Sequence, residues 1–253
     1  MNIYLSSGIS SNYLPRATGY LESVKKHFPA DGPVRPLMFA VDYAAHVRDL
    51  LGVPCVPICE NQIRLQLPKK MLQNGLFTDF APSDWKDDDV IAFVDSDAYF
   101  QRPFTEAEIA AFAAVKPGEF LGDYNCPNHW QSLLSEAADL FPKCSMAAIE
   151  NAFPGMEKLE TKNWGFIVAR LDSWRELNRR TIASWPRVDA SFGNPARVQL
   201  ACIWEASQPG LSIGRLPVGI HLQAHHGIQK GAEKGSDGLW RLNGNTGLFI
   251  HAI

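Results

Sequence analysis

Ile91-Ala92-Phe93-Val94-Asp95-Ser96-Asp97 is an apolar run that ends in two aspartates one residue apart. It follows the polar turn Asp84-Trp85-Lys86-Asp87-Asp88-Asp89 and reads as a buried strand from Val90 to Val94. Side chains alternate along a strand, so residues 95 and 97 point the same way from its C-terminal tip. Two like charges held that close repel each other unless a cation sits between them. Hard oxygen ligands favour Mg²⁺ or Mn²⁺, and such ions are commonly partnered by a diphosphate. The pair therefore points to chemistry on a nucleotide-linked substrate. The plainer alternative is a strand-end turn, where Asp and Ser are common.

Upstream of this strand the chain alternates strands and helices. Ile3–Ser6 reads as a strand, Ser6–Asn12 as a Ser/Gly/Asn loop, and Pro15–His27 as a helix with proline in its first turn. Leu37–Val41 is a second buried strand and Tyr43–Leu51 a short helix. Val53–Ile58 is a third strand, which its two prolines confine to an edge. Lys69–Phe77 is helical. This βαβ rhythm predicts an α/β fold with a mainly parallel sheet, flanked by helices, that binds ligands at the carboxyl ends of its strands. Downstream, the expected elements are a helix over Glu106–Val115, a strand over Glu119–Gly122 and a strand over Gly165–Ala169. Helices over Ser173–Ser184 and Pro195–Ala206 and strands over Ile220–Ala224 and Leu248–Ala252 follow, with a glycine-rich loop or lid from His225 to Gly247. No repeat or linker interrupts the chain, so residues 1–253 are expected to form one domain. A nucleotide-binding half would cover about residues 1–105, and an acceptor- and metal-completing half about residues 106–253.

Composition narrows the classes. Hydrophobic content of 46% and charge of 20% are those of a globular protein with a sizeable core. A net charge of −3 excludes a broad electrostatic surface for nucleic acid. The five cysteines, Cys55, Cys59, Cys126, Cys144 and Cys202, have no zinc-like spacing, and an odd count fits a reducing compartment. With no signal-like N-terminus and no long apolar stretch, the expectation is a cytoplasmic chain with no transmembrane segment.

Five further groups carry chemistry. In Asn163-Trp164-Gly165-Phe166, the glycine just before a buried strand lets a ligand approach the backbone, or simply makes a tight turn. Three of the chain's seven histidines, His221, His225 and His226, fall within six residues and precede Lys230. One of them suits a third metal ligand, and Lys230 suits a phosphate. In the loop Ser6-Ser7-Gly8-Ile9-Ser10-Ser11-Asn12-Tyr13, the hydroxyls and Tyr13 can hold and stack a nucleobase, or Tyr13 can merely staple the helix. Asp123, in Leu121-Gly122-Asp123-Tyr124 ahead of Cys126, His129 and Trp130, is a carboxylate at another strand end. Gln199 lies inside an apolar helix, where a buried amide must find a partner. Trp174, Trp185 and Trp204 read as core.

Taken in order, these residues resemble a GT-A-fold glycosyltransferase of the retaining glycogenin and galactosyltransferase type. Asn12-Tyr13 through Lys25 is similar to that family's first helix, Asp95-Ser96-Asp97 to its D-x-D motif, and Arg102-Pro103-Phe104 to the turn that follows. Gly122-Asp123 falls where the family has a sugar-contacting Asp, and Asn163-Trp164-Gly165 resembles its donor-sugar N-x-G segment. His225/His226-Gly227-Ile228-Gln229-Lys230 resembles its late H-x-x-G-x-x-K element. The chain departs from the pattern in three places. Val198-Gln199 stands for an Asp-Gln pair, Gly231 follows Lys230 in place of Pro-Trp, and His225 lies two residues before the glycine instead of three.

The resemblance implies a GT-A-like single domain that transfers a sugar from a nucleoside-diphosphate sugar, with UDP expected, to a hydroxyl acceptor. Asp95, Asp97 and a histidine would hold Mn²⁺ or Mg²⁺, and Ser6, Tyr13, Asp95, Asn163, Gly165 and Lys230 would contact the donor. Asp123 is the expected base if the reaction inverts, and Gln199 the polar neighbour of the reacting carbon if it retains. A haloacid-dehalogenase-type phosphatase also carries a strand ending in D-x-D. That family wants Thr or Val two residues after the second Asp, where this chain has Tyr99. A non-catalytic nucleotide-sugar binder is the third class considered.

Overall fold

The computed structural model describes residues 1–10, 13–41, 52–58, 80–124, 146–159, 162–189, 196–217, 220–223 and 232–251. The expected helices over Tyr43–Leu51 and Lys69–Phe77 lie outside them.

Strand β1 covers Ile3–Ser6 and β2 Gly8–Ser10, helix α1 Leu14–His27, and strands β3 Val34–Pro36, β4 Met38–Val41 and β5 Cys55–Ile58. Next come β6 (Val90–Val94), β7 (Tyr99–Phe100), helix α2 (Glu106–Ala113) and β8 (Glu119–Tyr124). Helix α3 (Met146–Ala152) precedes β9 (Lys162–Arg170), followed by helices α4 (Leu171–Asp189) and α5 (Ala196–Ala206). The chain ends with β10 (Ser212–Arg215), β11 (His221–Gln223), β12 (Ala232–Lys234), β13 (Trp240–Leu242), β14 (Asn245–Thr246) and β15 (Phe249–His251).

The main sheet has the order β10-β8-β9-β6-β1-β3. Its pairs are parallel except that β9 runs antiparallel to both β6 and β8. All five residues of β6 are buried, and they divide by parity. Val90, Ala92 and Val94 join one core with Ile3, Leu5, Phe166 and Val168 against Ala17, Tyr20, Leu21 and Val24 of α1. Ile91 and Phe93 join the other with Tyr4, Ile167 and Ala169 against Trp174 and Leu177 of α4 and Ala201–Ile203 of α5. Apolar residues on both faces are what a sheet covered by helices on both sides demands.

α1 follows from its residues: proline occupies the first turn, Lys25, Lys26 and His27 sit at the negative end of the dipole, and Ala17, Tyr20, Leu21 and Val24 form one stripe. Of the acidic turn before β6, Asp89 is fully buried, and its carboxylate accepts from the Asn2 amide at 2.6 Å and the Lys86 amide at 2.9 Å. That carboxylate is structural.

Three expectations are corrected. The loop Ser6–Asn12 is a strand through Ser10, because the chain bends at Ser7 and continues as β2, parallel to β4, in a second sheet ordered β2-β4-β5. β5 sits at the edge of that sheet, as its prolines require. The strand expected over Gly165–Ala169 starts earlier, at Lys162, so Gly165 lies inside β9 and Asn163 belongs to the strand too. The stretch from His225 to Gly247 holds an antiparallel meander β12-β13-β14 over its described part. Its tightest turn is Asn243-Gly244, with φ of 50° and 80° between paired Leu242 and Asn245. Two left-handed residues make a hairpin turn that matches strand twist, and Asn-Gly is its strongest sequence signal.

Residues after Asp97 are tied down in the same neighbourhood. The β7 amide of Phe100 donates to Ser23 Oγ of α1 at 3.0 Å, and the Phe100 ring meets Phe28 edge-on at 4.8 Å and Phe249 at 5.1 Å. The Gln101 side chain donates to the Trp240 and Gly247 carbonyls, both at 3.0 Å, and accepts from the Trp240 amide at 2.7 Å. Arg102 holds Glu108 bidentately at 2.8 and 2.7 Å, and Glu108 closes a capping box with Thr105 at the start of α2. Burial pushes the Glu108 carboxyl up, but the Arg102 hydrogen bonds, the Thr105 amide and the Arg102 charge outweigh it, so it lies below the ordinary carboxylate value. Stability from a lowered pKa is present above the ordinary value and is lost as pH falls through the folded one. Glu108→Gln should therefore cost about 1.5–3 kcal/mol at neutral pH. Calorimetry across a pH series should show the gap closing below the ordinary value of 4.5.

Candidate active site

The main-sheet ladder runs one residue beyond β6: the Asp95 amide donates to the Gly165 carbonyl of β9 at 2.8 Å. The backbone under the first aspartate is thus fixed by the sheet. Ser96 is buried, and Asp95 and Asp97 are half-buried. Tyr13, the N-cap residue of α1, donates its phenol to Asp97 Oδ2 at 2.5 Å. The Arg16 guanidinium lies over the Tyr13 ring, 5.6 Å from its centroid. Burial pushes the Tyr13 phenol up to about 12, helped by the Asp97 hydrogen bond and by the charges of Asp97 and Asp95. Burial and the Asp95 charge also hold Tyr20 well above its ordinary value. Both carboxylates therefore act on one phenol, and the pair faces the N-terminus of α1.

A break in register shapes the adjoining wall. Gly122 pairs with Ile167, but the next residue, Asp123, pairs with Asn163. β9 thus places Trp164, Gly165 and Phe166 where β8 has nothing, while Phe166 stays opposite Val94 of β6. Bulges of this kind bend a strand and re-aim its side chains. This one puts the backbones of Asp123 and Asn163 side by side while Gly165 remains bonded to Asp95. Asp123, Asn163, Gly165, Asp95 and Asp97 are consequently brought to one end of the sheet. Trp164 is buried and stacks near Phe120, with ring centroids 6.4 Å apart.

The third sheet, ordered β11-β15-β7, starts directly after the aspartates. β15 runs antiparallel to β7, pairing Phe249 with Phe100 and Ile250 with Tyr99, and β11 runs parallel to β15, pairing Gln223 with His251. Both strands therefore travel toward the Asp97 end of β7. His221 begins β11, and His225, His226 and Lys230 lie outside the described residues, as do Cys126, His129 and Trp130. Among the described residues no third metal-ligating side chain joins the aspartates.

The other expected site residues are placed as follows. Ser6 is fully buried and donates its hydroxyl to the Leu37 carbonyl at 2.7 Å, where β1 bends into β2. Gln199 belongs to α5. Trp174 is core, and Trp204 packs against it and donates to the Pro154 carbonyl at 3.3 Å. Sequence reasoning missed Arg16, although its position three residues after Tyr13 places it one helical turn away.

No protein-family model and no curated protein matches this sequence. Solved structures do match. The galactosyltransferase LgtC, solved with donor and acceptor sugar analogues, superposes with a TM-score of 0.61 at 11% identity, over 99% of this chain and 87% of that one. Mouse xyloside xylosyltransferase 1 gives 0.59 at 12% identity, over 100% and 98%. The bifunctional glycosyltransferase WbbM gives 0.56 at 11%, over 90% of this chain and 41% of that one. The fold is therefore the GT-A type expected from the sequence.

Asp97→Asn removes the charge beside Tyr13 and weakens its hydrogen bond, so the phenol should fall from about 12 toward the ordinary 10.0. An ultraviolet difference titration of the variant against wild type measures this; no change would mean that the two side chains do not meet in solution.

Proposed function

We propose that this chain is a metal-dependent glycosyltransferase that moves a sugar from a nucleoside-diphosphate sugar, with UDP the expected nucleotide, to a hydroxyl acceptor. The observation that carries the reading is the convergence of Asp95 and Asp97 with the Gly122-Asp123 and Asn163–Gly165 segments at one sheet end, in a GT-A-type fold. The donor set fits a hard divalent cation: two carboxylates lead off one buried strand, and both bear on the same phenol. Asp95, Asp97 and His225 or His226 would hold Mn²⁺ or Mg²⁺, with His221 the alternative histidine. Bound there, the ion supplies Lewis-acid neutralisation of the charge that develops on the departing diphosphate.

The chain's own residues do the rest. Lys230 meets a phosphate as a second cation. Tyr13 offers a ring face to the nucleobase. The backbone at Asn163 and Gly165 lines the donor sugar, and the missing Cβ of Gly165 lets the sugar approach the strand. Asp123 receives the acceptor proton if the reaction inverts at the anomeric carbon; Gln199 supports a retaining route. Val198 stands where an acid would accompany Gln199, and this is the one feature that favours a donor-binding protein without turnover. A reducing cytoplasm suits the five cysteines, and no described helix is long and apolar enough to cross a membrane.

A panel of nucleotide-sugars screened with Mn²⁺ for thermal stabilisation should single out a UDP-sugar, because a ligand that binds only the folded state raises its stability by mass action. Turnover is then read as Mn²⁺-dependent release of UDP. Binding without release would favour the non-catalytic reading, and phosphate release from phosphomonoesters would favour a phosphatase. Asp97→Ala should abolish Mn²⁺-dependent UDP binding in calorimetry while the fold stays intact; unchanged affinity would sink the metal assignment. Of His225→Ala and His226→Ala, one should lower Mn²⁺ affinity far more than the other, and small effects from both would move the ligand to His221.

A further inference from the structure

We infer that Tyr13 is a positioning residue for the metal site, its phenol holding Asp97 in the orientation that a divalent cation requires. The inference rests on the proposed role of Asp97 as a ligand and adds a second duty to a side chain otherwise assigned only to the nucleobase.

The two aspartates are held by different means. Asp95 has its backbone in the β6–β9 ladder through the Gly165 carbonyl. Asp97 lies two residues farther along, in a turn beyond the strand, and its carboxylate meets a phenol from the other end of the nucleotide-binding half. At 2.5 Å this is at the short end of the range for a hydroxyl donating to a carboxylate, where such bonds are strongest. An ionised carboxylate has about four acceptor sites. The phenol takes one at Oδ2 and so fixes the rotation of the group.

The donor is itself anchored. Tyr13 caps α1 with its backbone, Arg16 covers its ring, and α1 is hooked to β7 through Ser23 and Phe100. The phenol is the donor in this bond, since an ionised carboxylate offers only acceptor oxygens. Hydrogen bonds of this kind to ligating carboxylates commonly account for 10–100-fold in metal affinity. A nucleobase stacked on the ring would then press on the same side chain that sets the metal ligand, so the two halves of the donor would be sensed through one residue.

Tyr13→Phe separates the duties, because it keeps the ring and removes only the oxygen. The test titrates the full chain with Mn²⁺ alone and follows free Mn²⁺ by electron paramagnetic resonance, in wild type, Tyr13→Phe and Asp97→Ala, with thermal melting as the folding control. The expected result is Mn²⁺ binding weakened about ten-fold or more in Tyr13→Phe at an unchanged melting temperature, and lost in Asp97→Ala. An Mn²⁺ affinity equal to wild type in Tyr13→Phe, with Asp97→Ala still defective, overturns the inference and leaves the metal reading standing. Tighter binding in Tyr13→Phe also overturns it, since the phenol would then compete with the ion. If wild type binds no Mn²⁺, the metal reading fails and the inference falls with it. Should Tyr13→Phe melt early, Arg16→Gln removes the side chain that covers the ring and bonds the phenol while keeping the Tyr13–Asp97 pair, and an unaltered Mn²⁺ affinity there counts against the inference.

Discussion

A strand buried on both faces can carry charge only at its ends. Val90–Val94 is that strand here, with alternate residues committed to two separate cores. An ionised carboxylate inside it would forfeit several kcal/mol of hydration. The first places on this chain segment that tolerate acids are therefore the residues just before and just after it. Asp89 takes the first and is consumed by backbone amides; Asp95 and Asp97 take the second and are left at the open end of the sheet. The same physics thus yields one carboxylate buried ahead of the strand and held by backbone amides, and two half-buried carboxylates just after it.

The second constraint is the direction of β9. In an otherwise parallel sheet the loops before and after each strand lie at opposite ends, so a parallel β9 would send Asn163 and Gly165 away from the aspartates. Running antiparallel to both neighbours, β9 instead delivers its beginning to the carboxyl ends of β6 and β8. The register break at Gly122 and Asp123 then lets one strand serve two partners, Gly165 bonded to β6 and Asn163 aligned with β8. The small sheet after Asp97 repeats the logic, since β11 and β15 both run toward the aspartates.

What the sequence disclosed depended on how local the cause was. β6, α1 and the final strand follow from runs whose periodicity is set by neighbours within one element, and they lie where the pattern puts them. β2 was hidden because Gly8-Ile9-Ser10 has a single buried apolar residue, and its strand conformation comes from pairing with β4 across the bend at Ser7. The meander was masked by its glycines, though Asn243-Gly244 was a local signal open to be read. The positions of Asp95 and Asp97 at a strand tip were legible. The contact between Tyr13 and Asp97 was not, because it joins residues 84 positions apart and exists only once α1 has packed on the sheet.

That packing also explains why helix α1 matters more than its length suggests. It touches the segment after β6 twice: Ser23 accepts from the Phe100 amide, and Tyr13 donates to Asp97. The two contacts are ten residues apart on the helix and three apart on the segment. They fix both the height and the tilt of the aspartate turn against the helix. A helix of fourteen residues is stiff over this span, so the turn cannot shift at one contact without straining the other. Identity of 11–12% with the matched structures leaves few side chains in common, yet the fold persists over nearly the whole chain.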